Sequence, residues 1–502
     1  MYSMRWKTHM QSYKKLIGSI SIVTFSYAAS RGLGFFREIL LAKWVGVTEF
    51  ADTLDLAFII PDFLFYLSAG GYLAITLIPL MSSKKESELN EYFLSLLYGL
   101  SIVFVTFSLI IYSFRNKFAE FLGVESIEYF NEIFTPIIFS QVFFFIGAIL
   151  MSYQYLREKF IYTAFAPVIY NSSIILFGWI NSSTPENTVR GFAIGTLIGS
   201  IAGHLVLQII GASRSGLKFN LISPKLKYVK EYLFVSFPLV VGQSIAVVDE
   251  QLYRIFGSIL SAGSVASFRY ARRIALLPVG VIAQAIGVAS YPLLAKLFKN
   301  NNFKELNLLV RKQLVYLFTV NGAIMVFCIS NSKFLIELIY ERGAFSTQDT
   351  IRVSSVFSII AFAIVPWSIN QILTRSFYIQ KKFWFPVASG SLITFTAVLL
   401  LIMTGNKTAE EYAIVITFSL FLYSLILLFT VKFDEIKVLN KPMIIDLSKA
   451  SMILLIIYLL LDQFFTTTGF ITAFISLLII FLISYASIRL LKFEYINITK
   501  RR

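Results

Sequence analysis

The sequence predicts an all-α polytopic membrane protein of fourteen transmembrane helices, built as two parallel six-helix lobes plus an accessory C-terminal helix pair. Composition, the placement of Lys and Arg, and an internal repeat lead to this reading. Of 502 residues, 57% are hydrophobic, 14% are charged and 50 are Phe, whereas a soluble domain carries roughly 25% charged residues. Apolar runs of about 20 residues recur, each long enough to cross a hydrocarbon layer about 30 Å thick at about 1.5 Å per residue. A soluble enzyme and a single-span receptor are both excluded.

The spans follow from apolar runs between charged breaks. Span 1 (residues 16–43) follows Arg5, Lys7, Lys14 and Lys15, and span 2 (52–81) ends before Lys84 and Lys85. Span 3 (92–113) ends at Arg115 and Lys117, and span 4 (129–153) at Arg157 and Lys159. Span 5 (160–182) precedes span 6 (191–212), which runs out into Arg214, Lys218, Lys225, Lys227 and Lys230. Span 7 (229–259) turns tightly through 258–264 into span 8 (265–295), which stops at Lys296, Lys299, Lys304, Arg311 and Lys312. Span 9 (311–331) leads to Lys333 and Arg342, and span 10 (351–378) to Lys381 and Lys382. Span 11 (384–404) ends at Lys407, and span 12 (409–431) at Lys432, Lys437, Lys441 and Lys449. Spans 13 (447–462) and 14 (469–491) are joined by a second tight turn, 463–468, and close on Arg489, Lys492, Lys500, Arg501 and Arg502.

With a cytoplasmic N-terminus, the inside segments hold twenty-nine cations and the outside loops only Arg115, Lys117, Arg190, Lys333, Arg342 and Lys407. That bias is the positive-inside rule, and one missed span would scramble it. Both termini are therefore expected in the cytoplasm. The net charge of +16 is accounted for by topology and anionic headgroups, with no need for nucleic acid. No small-residue cleavage site follows a short apolar core, so the first span is read as retained.

The single cysteine, Cys328, excludes a disulfide framework or a cysteine-based metal cluster, and His9 and His204 are too few for a histidine site. His204 lies in an apolar run, where a hydrogen-bonded packing role is expected.

Residues 30–61 and 247–278 align without gaps at an offset of 217, pairing Arg37 with Arg254, Gly46 with Gly263 and Pro61 with Pro278, and further on Gly70 with Gly287. Pro167-Val168 and Pro386-Val387 fall at the nearby offset of 219. Gly and Pro carry backbone meaning, which weights these matches above matched Leu or Phe. The offset covers six spans, so the halves are parallel repeats, an arrangement that places transporter sites between lobes. The expected division is an N-terminal lobe at 1–225, a C-terminal lobe at 226–440, and accessory spans with a cytoplasmic tail at 441–502. Pro61 and Pro278 would each permit a kink.

Charge within a span is costly and usually faces a cavity or a partner. Snorkelling explains Lys43, Lys296 and Arg489 but not Arg31, about 15 residues from either end of span 1. Arg37 lies in the same span, and Glu38 shares a face with Arg31, so those two are a candidate ion pair. Span 2 opens with Asp52 and Asp55, span 8 carries Arg269, Arg272 and Arg273, and span 7 holds Asp249, Glu250 and Arg254. The 250–254 spacing permits an ion pair. Concentration of these charges in the four repeat-related spans argues for one shared polar cavity. Its cations are all Arg, whose guanidinium fork binds phosphate through two hydrogen bonds and stays protonated. A cavity for cationic drugs would lead with carboxylates and aromatics, so an anionic, phosphate-bearing substrate is favoured. The chain has no GxxxxGK[ST] loop, histidine triad or metal-ligand cluster, so transport must draw on a substrate gradient, an ion gradient or the membrane potential.

SRGLGFFRE (30–38), AKWVGV (42–47), Asp52 nine residues before Pro61, YARRIALLP (270–278) and YERGAFSTQDT (340–350) together resemble the MurJ (MviN) lipid II flippases of the multidrug/oligosaccharidyl-lipid/polysaccharide exporter superfamily. RGAF is the most specific of these words. The resemblance runs over about residues 16–400 and implies a carrier, with no cofactor, of the undecaprenyl-pyrophosphate-linked peptidoglycan precursor. It implies that Arg31, Arg37 and Arg273 contact the pyrophosphate and sugar-peptide, and that Asp52 gates or ion-pairs. Arg254 and Arg269 join this candidate binding set, with Glu38, Asp55 and Glu250 as gating or pairing groups. Spans 13 and 14 are implied to groove the polyprenyl tail. After the span-2 proline the family usually has a basic residue and then an EG pair, where this chain reads Phe65-Tyr66 and Gly70-Gly71. Some members bind sodium through a span-7 aspartate, matched by Asp249, with an amide and an acid in span 11, where this chain has Ala397 and Leu401. Alternatives are a flippase for another polyprenyl-linked glycan and a multidrug exporter of the same superfamily.

Overall fold

A computed structural model describes residues 29–68, 72–82, 84–404, 408–464 and 469–490. His9, the start of span 1, Gly70-Gly71 and the 465–468 part of the last tight turn lie outside the described residues, as do the side chains of Phe65, Tyr66, Asp249 and Glu250. Among the described residues, ten helices are long and apolar enough to cross a membrane, which makes this a multi-pass membrane protein. The chain divides into two compact units, one of residues 1–247 with 342–344 and the other of 248–341 with 345–502.

In the first unit, span 1 is helical over residues 29–45 and stops at Gly46, whose φ of +71° needs glycine and whose Cβ position lies 2.6 Å from the Ala344 carbonyl oxygen. Thr48 then caps the helix Glu49–Ala57, its hydroxyl accepting from the Ala51 N–H. Span 2 is not one continuous helix. The Phe58 N–H bonds the Asp55 carbonyl, three residues back, before Ile59–Ser68 begins. Pro61 supplies the reason, because it has no N–H and its ring would strike the carbonyl of residue 57 in an unbroken helix. The segment Tyr72–Ser82 completes the span.

Span 4, Ile127–Leu156, forms the core of this unit. Phe130, Ile133, Phe134, Ile137, Ile138, Ile149 and Leu150 are fully buried along its length. Spans 5 and 6 (Ile161–Ile180 and Pro185–Ser200) approach through glycines four residues apart. Cβ positions at Gly191, Gly195 and Gly199 lie 2.3, 2.8 and 2.9 Å from Phe177 O, Ile174 Cα and Ser173 Cβ. Small residues in such a stripe let backbones close in, which supplies the packing that hydrophobicity cannot supply in lipid. Span 6 continues through a π-turn, Ile201–Val206, into Leu207–Arg214.

The second unit opens its described turn at Gly263, again left-handed at φ +82°, ahead of Ser264–Pro278. That helix ends at Pro278, and a π-turn at Val279–Ala283 leads into Gln284–Lys299. Gly46 and Gly263 thus both adopt positive φ, and Pro61 and Pro278 each sit beside a helix interruption. Span 9, Phe303–Ser330, packs on span 13, Lys441–Phe464, with Leu454 seated on Gly322. The Asn331 amide donates to Ser476 Oγ of span 14 at 3.0 Å. A two-stranded hairpin, Lys432–Phe433 with Ile436–Lys437, follows span 12. Arg311 pins it, donating to the carbonyls of Val438 and Lys437 at 2.7 Å each. Nothing in the apolar pattern announced this hairpin.

Candidate functional site

In the first unit the charges are held by neighbouring polar groups. Arg37, half-buried, donates through Nη2 to Glu38 Oε1 at 2.9 Å and through Nη1 to Asn171 Oδ1 of span 5 at 3.3 Å. Glu38 is buried and forms an ion pair with Arg37, its neighbour in the chain. Asn171 is oriented in turn by donating to the Pro167 carbonyl at 2.9 Å. Arg31 is exposed, whereas Asp52 and Asp55 are buried on Glu49–Ala57, and each of the three has a partner. Asp52 also sits in the first turn of its helix, where the amide dipoles favour negative charge.

His204 lies in the π-turn of span 6 and packs its ring 4.0 Å from Phe144 and 5.9 Å from Tyr170. Its Nδ1 makes no hydrogen bond among the described residues, so at that nitrogen the expected hydrogen-bonded role gives way to ring packing. Gly147 makes room for it, since a Cβ there would lie 2.2 Å from the His204 carbonyl oxygen.

In the second unit, Arg254 is buried and donates to Gln251 Oε1 at 3.1 Å. Its expected partner Glu250 and the candidate sodium ligand Asp249 have side chains outside the described residues. On span 8 the Arg269 guanidinium lies 4.8 Å from the Tyr270 ring, and Arg272 lies 5.7 Å from the Trp367 ring of span 10. Cation–π contacts of this kind hold a guanidinium without neutralising it. Arg273 is half-buried on the same helix. Tyr270 is fully buried, its ring tilted against Tyr340 at 4.9 Å and edge-to-face with Phe345 at 5.6 Å, two residues of the YERGAF word. Glu341 accepts from the hydroxyls of Thr347 and Thr350, and these bonds hold its carboxyl below the usual carboxylate range. Within the first unit, Gly343 at φ +63° and the Ala344 N–H, 2.7 Å from the Lys43 carbonyl, fit the end of span 1.

Ala397 and Leu401 are buried apolar residues and offer no side-chain oxygen to a cation. Among the described residues no three His, Cys, Asp or Glu side chains gather into a metal-binding group. Sequence reasoning missed Asn171, Trp367, Gln371 and Arg375. A polar run at Asn171-Ser172-Ser173 and an Arg near the end of span 10 were the available signals.

A family model described as Lipid II flippase MurJ matches residues 41–485. A protein named probable lipid II flippase MurJ from Buchnera aphidicola subsp. Baizongia pistaciae is 27% identical over 390 residues, covering 74% of this chain and 73% of that one. The lipid II flippase MurJ of Thermosipho africanus is 26% identical over 458 residues, covering 88% and 90%. A solved structure of lipid II flippase MurJ in an inward closed conformation superposes with a TM-score of 0.79 at 23% identity, over 93% of this chain and 97% of that one. An inward-facing multidrug resistance MATE family transporter of the MOP superfamily follows at 0.61 and 13% identity, over 90% and 99%. At these identities the structural likenesses establish the fold alone. The family model, by contrast, covers most of the chain, from the end of span 1 to span 14: the chain belongs to the lipid II flippase MurJ family, whose members are multi-pass membrane transporters rather than enzymes.

Proposed function

We propose that this protein carries lipid II, the undecaprenyl-diphosphate-linked peptidoglycan precursor, from the inner to the outer leaflet of a bacterial plasma membrane. Two lobes of six spans alternate access to a shared chamber, both termini lie in the cytoplasm, and spans 13 and 14 receive the polyprenyl tail. Arg31, Arg37, Arg254, Arg269 and Arg273 grip the diphosphate and its headgroup. Asp52, with Glu38, Asp55 and Glu250, competes for those cations and sets when they let go.

The observation that carries this reading is the state of Arg37: a guanidinium kept inside span 1 by Glu38 and Asn171 instead of running to a helix end. A charge is retained at that depth when it has a ligand to meet. An inside-negative potential helps, since each negative charge carried outward is favoured by about 2.3 kcal/mol per 100 mV. Expression in cells depleted of their own lipid II flippase tests the proposal. Restored growth is expected, and continued lysis despite normal membrane insertion would refute it.

A second reading, another polyprenyl-linked glycan as cargo, draws on Phe65-Tyr66 and Gly70-Gly71 standing where the family usually has basic and acidic residues. Failure on lipid II with transport of such a glycan would decide for it.

A further inference from the structure

Arg375 lies in the helix Ile364–Tyr378 of span 10 and enters no ion pair among the described residues. Its Nη1 donates to Gln371, to the carbonyl oxygen at 2.6 Å and to Oε1 at 2.7 Å. Gln371 stands one turn nearer the helix N-terminus. With Lys381 and Lys382 on the cytoplasmic side, the guanidinium therefore turns back into the bilayer instead of snorkelling outward. It rests on Gly287 of span 8, where a Cβ would lie 2.9 Å from Nη1, 3.0 Å from Cζ and 3.3 Å from Nε. Gly287 precedes Lys296 by nine residues, which is about 13 Å along the helix. Tyr378 and Tyr291 lie close enough to act on the charge. The Ser290 hydroxyl, one turn on from Gly287, is buried without a hydrogen-bond partner among the described residues.

Nη1 is thus satisfied by neutral oxygens, while Nε and Nη2 are left as a parallel pair of donors with no acceptor among the described residues. That edge of a guanidinium matches two oxygens of one phosphate, and the interaction is strongest where water is scarce. Along span 8 the spot lies about 21 Å from Arg273 by residue count, so it is a separate station and not part of the arginine cluster already described.

We infer that Arg375, seated on Gly287 and braced by Gln371, forms a second anion site that receives the diphosphate of the lipid substrate at the cytoplasmic side of the C-terminal unit, before the cargo reaches Arg273. This rests on the proposed carriage of a polyprenyl diphosphate. Glycine at 287 is what lets the guanidinium lie flat there.

The test measures binding of undecaprenyl diphosphate, neutral undecaprenol and phosphatidylglycerol to the full-length protein in nanodiscs. Arg375→Gln is expected to weaken diphosphate binding about tenfold or more and to leave undecaprenol binding unchanged. Arg375→Lys, which keeps charge and bulk but loses the fork, should fall between. Gly287→Ala should displace the flexible guanidinium and weaken diphosphate binding, yet add nothing in the Arg375→Gln background. Parent-like binding by Arg375→Gln alongside a defect in Arg273→Gln would overturn this site and leave the carrier reading standing. Equal losses for phosphatidylglycerol and diphosphate would overturn its assignment to the substrate. If the parent protein binds no diphosphate, the carrier reading falls and this site with it.

Discussion

Replacing Glu38 by Gln asks whether the carboxylate competes with substrate for Arg37. The two groups are 2.9 Å apart, which at an effective dielectric of about 20 is an attraction of about 6 kcal/mol before desolvation. Desolvation of both ions cancels much of that, and hydrogen bonds to charged groups contribute about 1.5–3 kcal/mol net. An arriving diphosphate must displace this bond or share the guanidinium with it. Glu38→Gln preserves the shape and leaves Asn171 in place, but gives up the negative charge. Affinity for undecaprenyl diphosphate is expected to rise by about one to two powers of ten, while lipid II turnover falls because release slows. Binding in nanodiscs at low salt and flipping in liposomes read the two quantities separately. Weaker binding by the variant would refute the competition and make Glu38 a helper of the ligand.

Three further outcomes are expected. Gly147→Ala drives a Cβ into the His204 carbonyl, 2.2 Å away, and should cost about 1–3 kcal/mol as overpacking between two backbones, read as a lower midpoint in thermal unfolding. The depressed carboxyl of Glu341 contributes stability above its unfolded value, about 4.3, and that contribution is lost as pH falls below it. Glu341→Gln should flatten the pH dependence of thermal stability between about pH 5 and 3, whereas an unchanged profile would contradict the assignment. Arg352 donates to the Ala262 carbonyl at 2.6 Å and to the hydroxyls of Ser261 and Ser264 at 3.0 Å each. Arg352→Ala should loosen the turn before span 8 and make it sensitive to limited proteolysis.

Much of the fold was legible because backbone-specific residues mark its joints. Gly46 and Gly263 were matched as letters and proved to share a left-handed backbone. Pro61 and Pro278 were matched as kink sites, and each adjoins a break or a π-turn. Span 2 read as one helix because its hydropathy runs on through the break at Phe58; a lost hydrogen bond leaves no trace in apolar content. The stripe of Gly191, Gly195 and Gly199 was visible but unread, since its meaning lies in the opposing carbonyls of span 5.

The candidate site was legible in its charges and opaque in its partners. An Arg in a span stands out against its neighbours, so Arg37 and Arg254 were found from the sequence. Asn171 and Gln251, which hold them, are neutral and cost little in an apolar run. Trp367 is indistinguishable from a lipid-facing residue until Arg272 is seen across from it. Spacing offered Arg31 for Glu38 and passed over its chain neighbour Arg37, which pairs with it. Arg375 was not singled out, because its bonds to Gln371, which turn it back into the span, leave no mark in the sequence.

The central claim is that guanidinium groups of spans 1 and 8 handle the substrate's diphosphate, and the rate of labelled lipid II flipping in liposomes measures it most directly. Arg31→Ala and Arg273→Ala proteins, inserted to the parent's level, are expected to flip at least tenfold more slowly. Parent-like rates from both would contradict it.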